Sequence, residues 1–268
     1  MDNKTNEYEI AKCLLLLQNN NKPKNIEIFR YLENLLDKDE SFSNVKLLNK
    51  DYFYFDLDHQ ILLDTISLYN NCLQNNIKKV EKMITFIKYI PDIFGNTPLF
   101  YTVIHNYYEL TILLLENGMN VNHRDCLGRT VLHIACREGN KYMINLLLRY
   151  GADQHIKDYF FRYPIIVAFI YKKDSIIEEL LLNGFKVYLK LDNNDFTILH
   201  LATIYGSISI IELILRHKYK NIYINDKTKN EGITALDLSI GKDNIYNLLL
   251  KNGAFSNNNE SRKNNIKF

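Results

Sequence analysis

Asp125-Cys126-Leu127-Gly128-Arg129-Thr130-Val131-Leu132-His133-Ile134-Ala135, followed downstream by Leu146-Leu147-Leu148-Arg149-Tyr150-Gly151, is the stretch that decides the fold. The same order stands 33 residues earlier, in Asp92-Ile93-Phe94-Gly95-Asn96-Thr97-Pro98-Leu99 and Leu113-Leu114-Leu115-Glu116-Asn117-Gly118. Self-similarity at a fixed period of this length marks an array in which each unit packs only on its neighbours.

Each unit reads as a helix pair. Thr97 and Thr130 stand where a helix begins, and a threonine there can accept a hydrogen bond from an unpaired backbone N–H. Pro98 follows at the first helical position, where its missing N–H costs nothing. Ala135 is small enough for a neighbouring helix to come close. Gly139 ends the first helix with a turn that calls for positive φ. Ile144, Leu147 and Leu148 recur at helical spacing as the buried stripe of a second helix, which Gly151 ends. Asn120-Val121-Asn122 and Asp153-Gln154-His155 then lead into the hairpin opening the next unit. One such unit cannot bury its own apolar faces, so stacking supplies the core.

The pattern extends outward from this pair. Asp158 opens a further unit with Tyr163-Pro164-Ile165-Ile166-Val167-Ala168 and Leu180-Leu181-Leu182-Asn183-Gly184. Asp192 opens another, with Thr197-Ile198-Leu199-His200-Leu201-Ala202, and here Asp195 takes the glycine position. Gly232-Ile233-Thr234-Ala235-Leu236-Asp237 and Leu248-Leu249-Leu250-Lys251-Asn252-Gly253-Ala254 form the last, which is shortened as a terminal cap would be. Upstream, residues 58–65 with Val80, Met83, Ile84 and Ile87 read as a divergent first copy, lengthened near Asn70 to Asn76. The expected boundaries are 56–91, 92–124, 125–157, 158–191, 192–228 and 229–254. Residues 1–55 form an N-terminal appendage with helices at 8–18 and 25–37, and 255–268 a disordered polar tail.

A repeat of this length carrying Thr-x-Leu-His-x-Ala resembles the ankyrin repeat. The fold this implies is an all-α repeat solenoid of five to six helix pairs joined by β-hairpin loops.

Composition narrows the function. The 268 residues are 47% hydrophobic, enough for a continuous core, and the net charge of +2 is too balanced to point to nucleic acid. Cys13, Cys72, Cys126 and Cys136 show no metal-type or CxxC spacing and read as free thiols of a reducing compartment. The apolar run Leu14 to Leu17, preceded by Glu7 and Glu9, is too short for a signal peptide or a membrane span. No phosphate-binding glycine loop, HExxH or nucleophile elbow occurs. His133 and His200 fill the same slot of two repeats, a slot that holds Phe100 and Asp237 elsewhere, so their role reads as structural. The sequence therefore predicts no enzyme, no cofactor and no metal.

A narrower likeness lies within residues 56 to 254. The segment Phe196 to Leu213 is similar to the fifth repeat of the inhibitor-of-κB (IκB) and Cactus proteins, and the long hairpin before Glu231-Gly232-Ile233-Thr234-Ala235-Leu236 is also typical of that family. The resemblance implies an inhibitor that holds a dimeric Rel/NF-κB transcription factor in the cytoplasm, with access to the nucleus. Two departures stand out. Asp39-Glu40-Ser41-Phe42-Ser43 lacks the glycine and serine spacing of the family's degron, and Ser261-Arg262-Lys263-Asn264-Asn265-Ile266-Lys267-Phe268 is basic where the family is acidic. The chain in this respect looks more like the truncated IκB mimics (vankyrins) of insect-associated viruses. The competing reading is a generic adaptor or effector, such as a ubiquitin-ligase substrate receptor.

In ankyrin stacks the partner surface lies on hairpin tips and on the open side of first helices. The tip candidates are Ile93, Phe94, Leu127, Arg129, Tyr159, Phe160, Arg162 and Phe196. The helix candidates are Ile104, His105, Arg137, Ile170, Tyr171, Ile204 and Tyr205. Apolar residues in solvent-facing places mark a protein-binding patch, with Tyr and Arg as frequent anchors. Partner binding is expected without nucleic acid or membrane contact, by a chain that is monomeric when free.

Overall fold

The computed structural model describes residues 59–84, 91–92, 94–186, 190–191, 195–216 and 223–256. The N-terminal appendage, Ile93 and all but the first two residues of the expected tail lie outside the described residues. The described residues fall into two compact units, one ending at Phe160 and one beginning at Phe161. Among the described residues there are only helices and turns.

The first unit holds α1 (His59–Leu73), α2 (Ile77–Ile84), α3 (Pro98–Ile104), α4 (Tyr108–Glu116), α5 (Val131–Glu138) and α6 (Lys141–Arg149). Helix α1 runs 15 residues, which accounts for the extra length of the divergent copy. The hairpins are reduced to tight turns organised by a carboxylate. Asp125 accepts hydrogen bonds from the backbone N–H groups of Leu127 (2.9 Å) and Arg129 (2.8 Å), and Asp92 does the same for Phe94 and Asn96 (2.8 Å each). Successive turns are tied together: Cys126 N donates to Phe94 O at 2.8 Å and Tyr159 N to Leu127 O at 2.9 Å. Behind them Leu99, Leu110, Leu114, Leu132, Met143, Ile144 and Leu147 are fully buried. At the N-terminal end Tyr69 and Tyr101 meet edge to face at 5.7 Å.

The second unit holds α7 (Pro164–Ile170), α8 (Asp174–Leu182), α9 (Ile198–Tyr205), α10 (Ile208–Leu215), α11 (Ala235–Leu238) and α12 (Asp243–Lys251). Helix α7 packs on α9, and α9 on α11. Ala168 and Ala202 at these crossings are fully buried, as is Ser239, which takes the equivalent place in the last repeat. A recurrent clasp joins consecutive repeats. Asn122 donates to Gly151 O and accepts from Asp153 N, and Asn225 does the same for Gly253 O and Phe255 N.

Helix starts follow the sequence pattern with one correction. Thr130 pairs with His133, whose Nδ1 accepts from the Thr130 N–H at 3.1 Å and lies 3.0 Å from its Oγ1. Thr197 and His200 repeat this arrangement, and Asp237 takes over the histidine's part beside Thr234. Thr97 does not cap α3: its Oγ1 is buried without a partner, because Phe100 fills the slot and offers no polar atom. Helix ends carry a second device. Asn117, Asn183 and Asn252, each just before a glycine, turn their side-chain amides back to donate to Leu113 O, Glu179 O and Leu248 O. These bonds satisfy carbonyls that the last helical turn leaves open.

Candidate partner-binding surface

The structure sorts the candidate residues by how each turn folds. Two are displaced from the surface. Leu127 is fully buried, because the Asp125 carboxylate draws its N–H inward and the side chain follows. Arg129 is also buried; its Nε donates to Asp125 Oδ2 at 2.7 Å, so its charge neutralises the turn's own carboxylate. Neither can serve as an exposed anchor. Phe94 and Phe160 are half-buried.

Tyr159 is 38% exposed and held in a built platform. Arg124 lies with its guanidinium carbon 4.8 Å from the ring centroid, while Nε donates to Gly128 O and Nη2 to Lys157 O. Gly128 makes the platform possible, since a Cβ there would come within 2.8 Å of both the tyrosine ring and the arginine. On the first helices of this unit the candidates are muted. Ile104 is half-buried, the ring of the half-buried His105 stacks on Tyr107 at 5.4 Å, and Arg137 Nε pairs with Glu138 at 2.9 Å.

The second unit shows more apolar surface. Ile170, Tyr171 and Tyr205 are 41%, 39% and 42% exposed at the ends of α7 and α9. Tyr205 is braced from below by Phe169, ring to ring at 5.8 Å. Ile204 and Arg162 are half-buried, and Phe196 meets His200 at 5.4 Å. Phe161 is the residue that sequence reasoning missed. It fills the glycine position of its turn and is 58% exposed. Its alignment with Gly128 was the signal that could have found it.

The buried titratable groups belong to the scaffold. Burial pushes the Asp92 carboxyl up to about 6, against the opposing effect of hydrogen bonds from Tyr101, Asn96 and Phe94. Burial also raises the Cys72 thiol to about 12 and lifts those of Cys126 and Cys136 well above the usual range. Among the described residues, no cluster of three or more His, Cys, Asp or Glu side chains is placed to hold a metal ion. No described helix is long and apolar enough to cross a membrane.

The family described as ankyrin repeats (3 copies) matches residues 68–158 and 165–260. A fowlpox virus ankyrin repeat protein, FPV031, is 30% identical over 158 residues, covering 58% of this chain and 36% of its own length. The tyrosine-protein kinase HTK16 of Hydra vulgaris is 32% identical over 131 residues, covering 48% of this chain and 17% of the kinase. The chain thus corresponds to about a third or less of these relatives. Among solved structures, the ankyrin repeat domain of Bcl-3, described as a unique member of the IκB protein family, superposes with a TM-score of 0.63 at 22% identity. The likeness covers 70% of this chain and 86% of that one and is one of fold. Turns, caps, helix pairs and family match agree: the chain belongs to the ankyrin-repeat family, whose fold is typically a non-catalytic protein-interaction module.

Proposed function

We propose that this chain is a non-catalytic, IκB-like inhibitor that binds a dimeric Rel/NF-κB-type transcription factor and retains it in the cytoplasm. The observation that carries the reading is the strip formed by Ile170, Tyr171 and Tyr205, apolar and exposed on successive first helices that pack on one another. Exposed apolar groups set in register on rigid elements are what a protein partner reads. The same two repeats include Phe196 to Leu213, the segment that resembles the IκB proteins, and the fold likeness to Bcl-3 is consistent with it. Within the second unit Phe161 completes the candidate contacts, with Arg162, Phe196 and Ile204 at their margins; on the first unit Tyr159 is the leading candidate, with Phe94, Ile104, His105, Arg137 and Phe160 as a set of its own.

Isothermal titration of the purified chain with purified Rel-homology dimers tests the reading. Tyr171→Ala and Tyr205→Ala are each expected to cost about 1–2 kcal/mol of binding. Absence of binding to every Rel dimer tried refutes it. Capture of a cullin-containing ligase instead would support the adaptor reading.

A further inference from the structure

Arg124 and Arg129 both serve the turn that Asp125 organises, and that aspartate can satisfy only one of them. Arg129 takes it, with Nε 2.7 Å from Asp125 Oδ2. Arg124 is left over. It is exposed, and among the described residues no carboxylate lies within ion-pairing distance of it. Arg137 and Arg216 differ in this respect, since each meets a glutamate of its own repeat.

The spare charge is held in place. Arg124 Nε donates to Gly128 O at 3.1 Å and Nη2 to Lys157 O at 2.8 Å, which pins the guanidinium, and the Tyr159 ring lies against it at 4.8 Å. Nη1 has no hydrogen-bond partner among the described residues. Pinning alone does not call for a charge. Nearby Asn122 ties itself to Gly151 O and Asp153 N with a neutral amide. A guanidinium already fixed, with donors still open, meets a carboxylate at little further cost in side-chain freedom. Tyr159, 38% exposed, offers apolar ring surface beside it.

We propose that Arg124 and Tyr159 form a binding site for an acidic peptide segment, with a carboxylate side chain on Arg124 Nη1 and an adjoining apolar side chain on the Tyr159 ring. The aspartates of the two turns, Asp125 and Asp158, are buried and do not present their charge to it. The charged group is exposed, so a free anion would stay largely hydrated there. An apolar neighbour on the same peptide adds the contact that such an anion lacks. The site makes no demand on the rest of the partner, so it stands or falls separately from the Rel reading.

Fluorescence anisotropy of the full chain with a labelled peptide of alternating glutamate and leucine tests the proposal. The wild-type chain should bind it, less tightly as salt rises, and should bind the glutamine counterpart about tenfold more weakly. Arg124→Gln should lose a similar factor, Arg124→Lys a part of it, and Tyr159→Ala should weaken binding too. Arg149→Gln removes an equal charge from the exposed end of α6 in the same unit and should change nothing. Circular dichroism verifies that the variants stay folded, and the change of peptide reads the charge without touching the protein. Absence of binding to the wild-type chain at millimolar peptide overturns the proposal. So does equal binding of the two peptides, or a loss in Arg124→Gln no larger than in Arg149→Gln. Displacement by inorganic phosphate at matched ionic strength overturns the assignment to a peptide.

Discussion

Phe161 and Asp195 stand one repeat apart and hold the same backbone φ of 62°, in the left-handed region that Gly95 and Gly128 occupy in the corresponding turns of the first unit. The turn dictates this φ, and the side chain bears its cost of roughly 1–2 kcal/mol. Phe161 therefore combines a strained backbone with a ring that is 58% exposed.

Phe161→Gly is therefore expected to stabilise the folded chain by about 0.5–1 kcal/mol, the relief of strain exceeding glycine's entropy cost. Partner affinity should fall in the same variant. Asp195→Gly should stabilise less, because aspartate tolerates the left-handed region better. Chemical denaturation measures the two stability effects and titration the change in affinity; a Phe161→Gly chain less stable than wild type would contradict the strain argument.

The threonine–histidine pairs yield a second expectation. His133→Ala leaves the buried Thr130 N–H without its acceptor and should cost about 1–3 kcal/mol. His133→Asp should cost distinctly less, since Asp237 already performs this task for Thr234. Equal losses in the two variants would show that packing, and not the cap, dominates the slot.

Stability should respond to pH in opposite senses at two sites. Burial raises Asp92 from 3.8 to about 6, so its folded form binds a proton more readily than its unfolded form. Its stabilising contribution is complete below 3.8 and is lost as pH rises through 6, a change of about 3 kcal/mol for two pH units. Burial lowers His200, so stability tied to its neutral form is present above 6.5 and lost as pH falls. Asp92→Asn should remove the first dependence and leave the second. Urea midpoints between pH 4 and 7 give the readout.

The buried cysteines should be silent. With Cys13→Ser and Cys126→Ser in place, the fully buried Cys72 and Cys136 are expected to react with a thiol reagent only as fast as the chain opens, because burial both shields them and holds them in the protonated form. Stoichiometric labelling of the native protein within seconds would refute this.

The repeat frame was legible in the sequence because it rests on local rules: threonine and histidine three residues apart, proline at a helix start, glycine at a turn. The positions of Ala135, Gly139 and Asp195 follow from the same rules. The surface was less legible. Leu127 and Arg129 sit in a turn, where residues are ordinarily expected outside, but the Asp125 carboxylate pulls both back in. Phe161 escaped notice because a bulky residue is not expected where φ must be positive.

Asn117, Asn183 and Asn252 bring a slower chemistry with them. Each precedes a glycine and lends its amide to a helix-end carbonyl. Asparagine before glycine is the sequence most prone to losing that amide by cyclisation onto the next backbone nitrogen. The aspartate left behind can no longer donate, and it sets a negative charge against the negative end of its helix. The hydrogen bonds that finish these three helices thus also mark where the protein will age, one helix end at a time.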